Sequence, residues 1–90
     1  MNQVNENLKQ SCEEAIVAFR KLNDESYTDL ESKLQWCVGS YDYDKNPAGL
    51  YEYGVQSLVA LKTAKEAQPR KVTKKVIDGL EKAIKSFSQN

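Results

Sequence analysis

The sequence predicts an all-α fold, an antiparallel up-down-up-down four-helix bundle, and three observations carry the prediction. Apolar residues recur at alternating steps of three and four in four separate stretches, which is helical spacing. Short polar breaks separate those stretches, and connections of that length make consecutive helices antiparallel neighbours. Nowhere does the chain alternate apolar and polar residues as a half-buried strand would.

The first stripe is Leu8, Cys12, Ala15, Phe19 and Leu22, with Val4 and Ile16 beside it. The second is Tyr27, Leu30, Leu34, Cys37 and Tyr41, preceded by Thr28-Asp29-Leu30-Glu31. That tetrad has the form of a capping box, with Ser26 as an equally good earlier cap. Gly39 offers an early stop, because glycine serves as a C-terminal cap. The third begins at Asn46-Pro47, a cap followed by proline at the first helical position, where its missing N–H costs nothing. Its inner face is Leu50, Tyr51, Gly54, Leu58, Leu61 and Ala64. The fourth starts near Pro69 and carries Val72, Val76, Leu80, Ala83, Ile84 and Phe87, with Ile77 at one edge. On a helical wheel these fill roughly 140°, and every lysine of the helix falls on the other side. The breaks are Asn23 to Glu25, Asp42 to Asn46, and Ala67 to Pro69. A three-helix bundle stays open as the alternative, with Pro69 as a kink in one long helix.

The 90 residues form one domain, 1–90, and a chain this short buries only about 60 to 65% of its unfolded surface. Self-association would add to so thin a margin. Apolar runs are a few residues long, far short of the roughly 20 that a membrane span requires. The segment Met1 to Glu6 has neither a basic start nor an apolar core, so no secretory leader is expected and the cytoplasm is the expected location. Thirteen basic and thirteen acidic side chains balance, but unevenly along the chain. Residues 1 to 61 hold five basic and ten acidic groups, and residues 62 to 90 hold eight basic and three acidic. Such a polar chain can pair its two regions within one molecule, between copies, or with a third party.

The chain has no histidine. That removes Ser-His-Asp and Cys-His pairs, phosphohistidine relays and the Glu-x-x-His di-iron sites that helical bundles house. Two cysteines without histidine make a poor zinc site. The four glycines are scattered singly, so no glycine-rich phosphate loop exists. Glu13, Glu14, Asp78 and Glu81 lie off the apolar stripes, where burial cannot tune them for acid–base work. No enzyme activity, cofactor, metal or small-molecule substrate is expected.

Three features remain as bearers of chemistry. Cys12 and Cys37 stand equidistant from a turn at residues 24 and 25, which places them at one level of the bundle; packing as small hydrophobes is the simpler reading, and a thiol switch is the functional one. Asp42, Asp44 and Asn46 have the first three spacings of an EF-hand loop, but Pro47 stands where glycine is needed and Tyr53 where a glutamate is. That segment reads as a polar turn. The basic face of the fourth helix comprises Arg70, Lys71, Lys74, Lys75, Lys82 and Lys85. Asp78 and Glu81 interrupt it at four-residue spacings, the pattern of a salt-laced solvated surface. Nucleic-acid binding there is the alternative function, with zero net charge against it.

Aromatic residues gather around the second break. Tyr41 and Tyr51 belong to the core faces, whereas Trp36 and Tyr43 lie on the outer side of their helix. A large aromatic off the core face is a common interface anchor. Val55 and Val59 extend the apolar arc of the third helix beyond what the core requires. The leading expectation is a non-enzymatic bundle acting through protein contacts or self-association, with Trp36, Tyr43, Val55 and Val59 as the candidate interface.

Overall fold

A computed structural model describes residues 3–88; Met1 and Asn2, part of the stretch read for a leader, and the last two positions of the 1–90 domain lie outside the described residues. The chain is a four-helix bundle: α1 (Gln3–Leu22), α2 (Thr28–Asp44), α3 (Ala48–Ala67) and α4 (Lys74–Ser88), with a single 3-10 turn at Glu25–Tyr27 before α2. Helix α1 packs on all three others, α2 packs on α3, and α3 on α4. The cross-section is a rhombus, 22 by 15 Å for a bundle 36 Å long, with α1 and α3 on its short diagonal and α2 and α4 at its far corners.

Small side chains permit that short diagonal. Cys12 and Ala15 of α1 are fully buried, and Cys12 Sγ reaches the Leu50 carbonyl of α3 at 3.6 Å. Gly54, one turn on, lies against Cys12 and Leu8. Around this seam, Leu8, Leu34, Leu50, Leu61 and Leu80 are all wholly excluded from solvent. Each side chain so buried contributes about 1.5–3 kcal/mol relative to leaving it exposed. Stacked rings close the two ends: Phe19 on Tyr27 at 5.3 Å, and Tyr51 on Phe87 at 5.0 Å. Among the described residues, no buried side-chain nitrogen or oxygen lacks a partner. Ser11 meets that demand by donating to the Gly79 carbonyl of α4, and Ser57 by donating to Tyr53 one turn back.

The stripe of α1 is buried as expected, whereas several boundaries differ. Helix α2 runs straight through Gly39 and ends at Lys45, whose φ of 59° supplies the left-handed cap and whose N–H bonds the Tyr41 carbonyl. Its start does not use the capping box: Tyr27 is the cap residue without a side-chain bond, and Asp24 caps the 3-10 turn by accepting from the Ser26 N–H. Helix α3 begins one residue later than expected, with Pro47 in the cap position and the Asn46 side chain accepting from the Ala48 N–H.

The largest difference is at α4. It starts at Lys74, not near Pro69, so residues 68–73 form a true connection and the three-helix alternative is excluded. Lys71 N–H bonds Gln68 O in a turn, and the Thr73 hydroxyl accepts from the Val76 N–H, which makes Thr73 the N-cap. Val72 before the cap and Ile77 four residues after it are both buried, at the positions of a hydrophobic staple. Lys65 of α3 donates to the Val72 carbonyl at 3.0 Å and fixes this entry.

Candidate functional site

The outer side of α2 follows from its inner side. Leu34, Cys37 and Tyr41 are buried at spacings of three and four, so Trp36, one residue from Cys37, turns about 100° away. Tyr43, seven residues from Trp36, shares its side two turns along. Trp36 is 72% exposed and Tyr43 93%. Tryptophan is highly buried on average, so a ring left this far in solvent is unusual. Beside it runs a shallow groove lined by Cys37, Ser40, Asp44, Asn46 and Gly49, between α2 and the first turn of α3.

Val55 and Val59 are exposed as well, Val59 at 63% and Val55 at 36%. They form a separate group. The edge of α3 that meets α2 carries Gly49, which abuts Cys37, and Tyr53, whose ring lies under the Lys33 ammonium at 5.7 Å. Val55 and Val59 are displaced from that edge by roughly 140° and 100° around the helix. The structure therefore brings Trp36 and Tyr43 together on one helix and sets the two valines around the corner. Val17 of α1, 48% exposed, is an outward apolar side chain that spacing could have revealed, because it lies opposite the Leu8–Phe19 stripe.

The six basic candidates, Arg70, Lys71, Lys74, Lys75, Lys82 and Lys85, are all exposed. Glu81 bridges Lys85 at 3.6 Å and Lys62 of α3 at 3.8 Å. The other spaced pairs, Lys74 with Asp78 and Asp78 with Lys82, do not close. The lysines also divide between two grooves. Lys74 borders α3 beside Lys62, Lys65 and Glu66, while Lys75 and Lys82 border α1 beside Gln10 and Glu14.

Cys12 and Cys37 are free and buried, and near enough to one another for charge on the second to disfavour charge on the first. Burial pushes the Cys12 thiol up to about 12, and burial with the nearby Glu52 also raises Cys37. Thiols held this far from ionisation are poor nucleophiles at neutral pH, since the thiolate is the reactive species. At the same end, Tyr41 donates to the Glu6 carboxylate, and this hydrogen bond raises its phenol to about 12. Lys9 pairs with Asp42 alongside. Asp44 and Asn46, read above against a calcium loop, instead accept backbone N–H bonds from Asn46 and Ala48. Among the described residues, no three His, Cys, Asp or Glu side chains are grouped to hold a metal ion, and no helix is long and apolar enough to cross a membrane.

The fold and surface define a helical bundle whose distinguishing feature is an outward aromatic pair on α2. In comparisons with protein-family models, curated proteins and solved structures, nothing matches the chain.

Proposed function

We propose that the protein works through contacts with other proteins made by the outer face of α2, and that it has no catalysis of its own. The observation that carries this reading is Trp36, 72% exposed with Tyr43 on the same side of the helix. An exposed indole presents a large rigid apolar surface with little side-chain entropy to lose, which is why tryptophan dominates interface energetics. Scattered single valines at a surface are ordinary and add little to the argument. Thiols and a phenol shifted toward alkali, and carboxylates engaged with lysines or backbone N–H groups, support the non-catalytic half of the reading.

The test is affinity capture from the native lysate of the source cells with wild type and Trp36→Ala as paired baits, each shown to be folded by circular dichroism. A central interface tryptophan is worth about 2 kcal/mol or more, roughly a 30-fold loss of affinity. Proteins held by wild type should therefore vanish from the Trp36→Ala eluate. Identical eluates would remove the reading.

A further inference from the structure

On the outer side of α2, Trp36 lies three residues before Gly39 and Tyr43 three residues after Ser40, so the two rings are equidistant from the peptide bond between the small residues. At about 100° per residue, Gly39 and Ser40 fall on either side of the line from ring to ring, within about 60° of it. Gly39 is exposed, its φ is not positive, and a Cβ placed on it meets no described atom within 4 Å beyond its own stretch of helix. Gly49 and Gly54 are set against Cys37 and Cys12, and Gly79 faces α1, whose Ser11 donates to its carbonyl. Nothing of that kind calls for glycine at position 39. Glycine weakens a helix interior relative to alanine, and what it offers in return is close approach of another backbone. The charges of this strip are a single ion pair, Asp29 with Lys33 at 3.1 Å, and the Asp44 carboxylate at its edge accepts from the Asn46 N–H.

We infer that the outer side of α2 pairs with the same side of α2 on a second copy of this chain, antiparallel, about a two-fold axis that passes between Gly39 and Ser40. The inference rests on the proposed use of the Trp36 face and names its occupant. With the axis there, Trp36 of each copy comes to the level of Tyr43 of the other, beside the groove that Ser40, Asp44, Asn46 and Gly49 line. Two ring-to-ring contacts then flank a crossing point where glycine and serine let the helices close up. A two-fold contact uses one patch twice, so that patch must carry both the projection and the recess, and this one does. It must also tolerate its own charge, and a strip whose charges are already paired meets no repulsion from its copy. The rings are 72% and 93% exposed, so covering four of them removes about 600–800 Å² from water, most of what a buried aromatic side chain loses. The crossing residues between them bring the contact near the roughly 1,000 Å² at which specific association begins. A contact of that size makes a reversible dimer, and because a two-fold contact closes on itself, growth ends at two.

Two substitutions of opposite apolar character test this. Trp36→Ala removes a ring, whereas Gly39→Leu adds an apolar side chain to the same face at a position with room for it in the monomer. Both positions are exposed, so in dilute solution neither variant should melt below wild type. By sedimentation from about 5 to 500 µM, wild type should pass from monomer to dimer and no further, alike in 50 mM and 0.5 M NaCl, because the contact draws on no attraction that salt screens. Trp36 is the sole tryptophan, and its emission should shift to the blue over the same range as the ring leaves water. Each variant should dimerise at least tenfold more weakly. Wild type that stays monomeric, or that grows beyond two, would overturn the inference. So would a dimer that Trp36→Ala leaves intact, or a Gly39→Leu variant that dimerises as well as wild type, since a face that is merely sticky gains from an added leucine and a close crossing at Gly39 does not. The broader reading of the α2 face is judged apart from these results: proteins other than this chain captured by wild type and lost with Trp36→Ala leave it standing even where no dimer forms.

Discussion

At the level of single residues, the closest approach at any of the four glycines is at one that helical spacing does not reveal. A Cβ added at Gly49 would stand 2.8 Å from Cys37 Sγ and 3.6 Å from its Cβ. The sulfur must move or the helices must part, and overpacking of this kind costs about 1–3 kcal/mol. Gly49→Ala is thus expected to lower the urea midpoint in the wild-type background despite the better helix propensity of alanine. In a Cys37→Ala background the obstructing atom is gone, and the same substitution should become neutral or stabilising. A double-mutant cycle in which the two effects simply add would show that the sulfur is not what forbids the side chain. Trp36 was legible where Gly49 was not. Its outward position follows from a wheel drawn on one helix, whereas Gly49 is constrained by the distance between two helices.

The same division governs the elements. The interiors of all four helices can be read from period alone, because burial at steps of three and four is local to each segment. Ends depend on which hydrogen bonds the fold satisfies. The sequence puts the start of α4 near Pro69, yet the chain makes a further turn before Thr73 caps α4 and Val72 seats in the core. A valine that belongs to the core does not have to belong to the helix. Gly39 looked like a stop, but α2 continues to Lys45, which adopts the left-handed cap itself. The competing signals at α4 make Thr73 the residue to test: Thr73→Ala should cost about 1 kcal/mol by removing the N-cap bond. Pro69→Ala should have a smaller effect, since Pro69 is exposed and outside the helix. The reverse order, read from thermal or urea unfolding, would put the helix start back at the proline.

For the molecule as a whole, topology sends α2 and α4 to the far corners of the bundle, which linear order does not dictate. Topology likewise decides the response to alkali, because the two groups most resistant to ionisation are held by different contacts. Cys12 is buried against Leu50 and Gly54 of α3, and Tyr41 is tied by its hydroxyl to Glu6 of α1. Their folded pKa values rise from 9.0 to about 12 and from 10.0 to about 12. The folded state therefore retains protons that the unfolded chain gives up, and stability must fall as pH rises. It is fully present below about pH 9, where both groups are protonated in either state, and it drains away as pH climbs through the unfolded values toward 12. For the wholly buried Cys12 the slope is about 1.4 kcal/mol per pH unit, an order-of-magnitude figure that amounts to roughly 2 kcal/mol by pH 10.5. A domain of 90 residues with a stability of about 5–10 kcal/mol will register that loss in its urea midpoint. Cys12→Ala starts less stable at pH 8, having lost buried sulfur, but it has no thiol to ionise. Its deficit relative to wild type should shrink by about 2 kcal/mol between pH 8 and pH 10.5, while Tyr41→Phe should flatten the remaining decline. A constant deficit across that range would mean that water reaches Cys12 in the folded bundle, and that the seam between α1 and α3 is looser than its geometry describes.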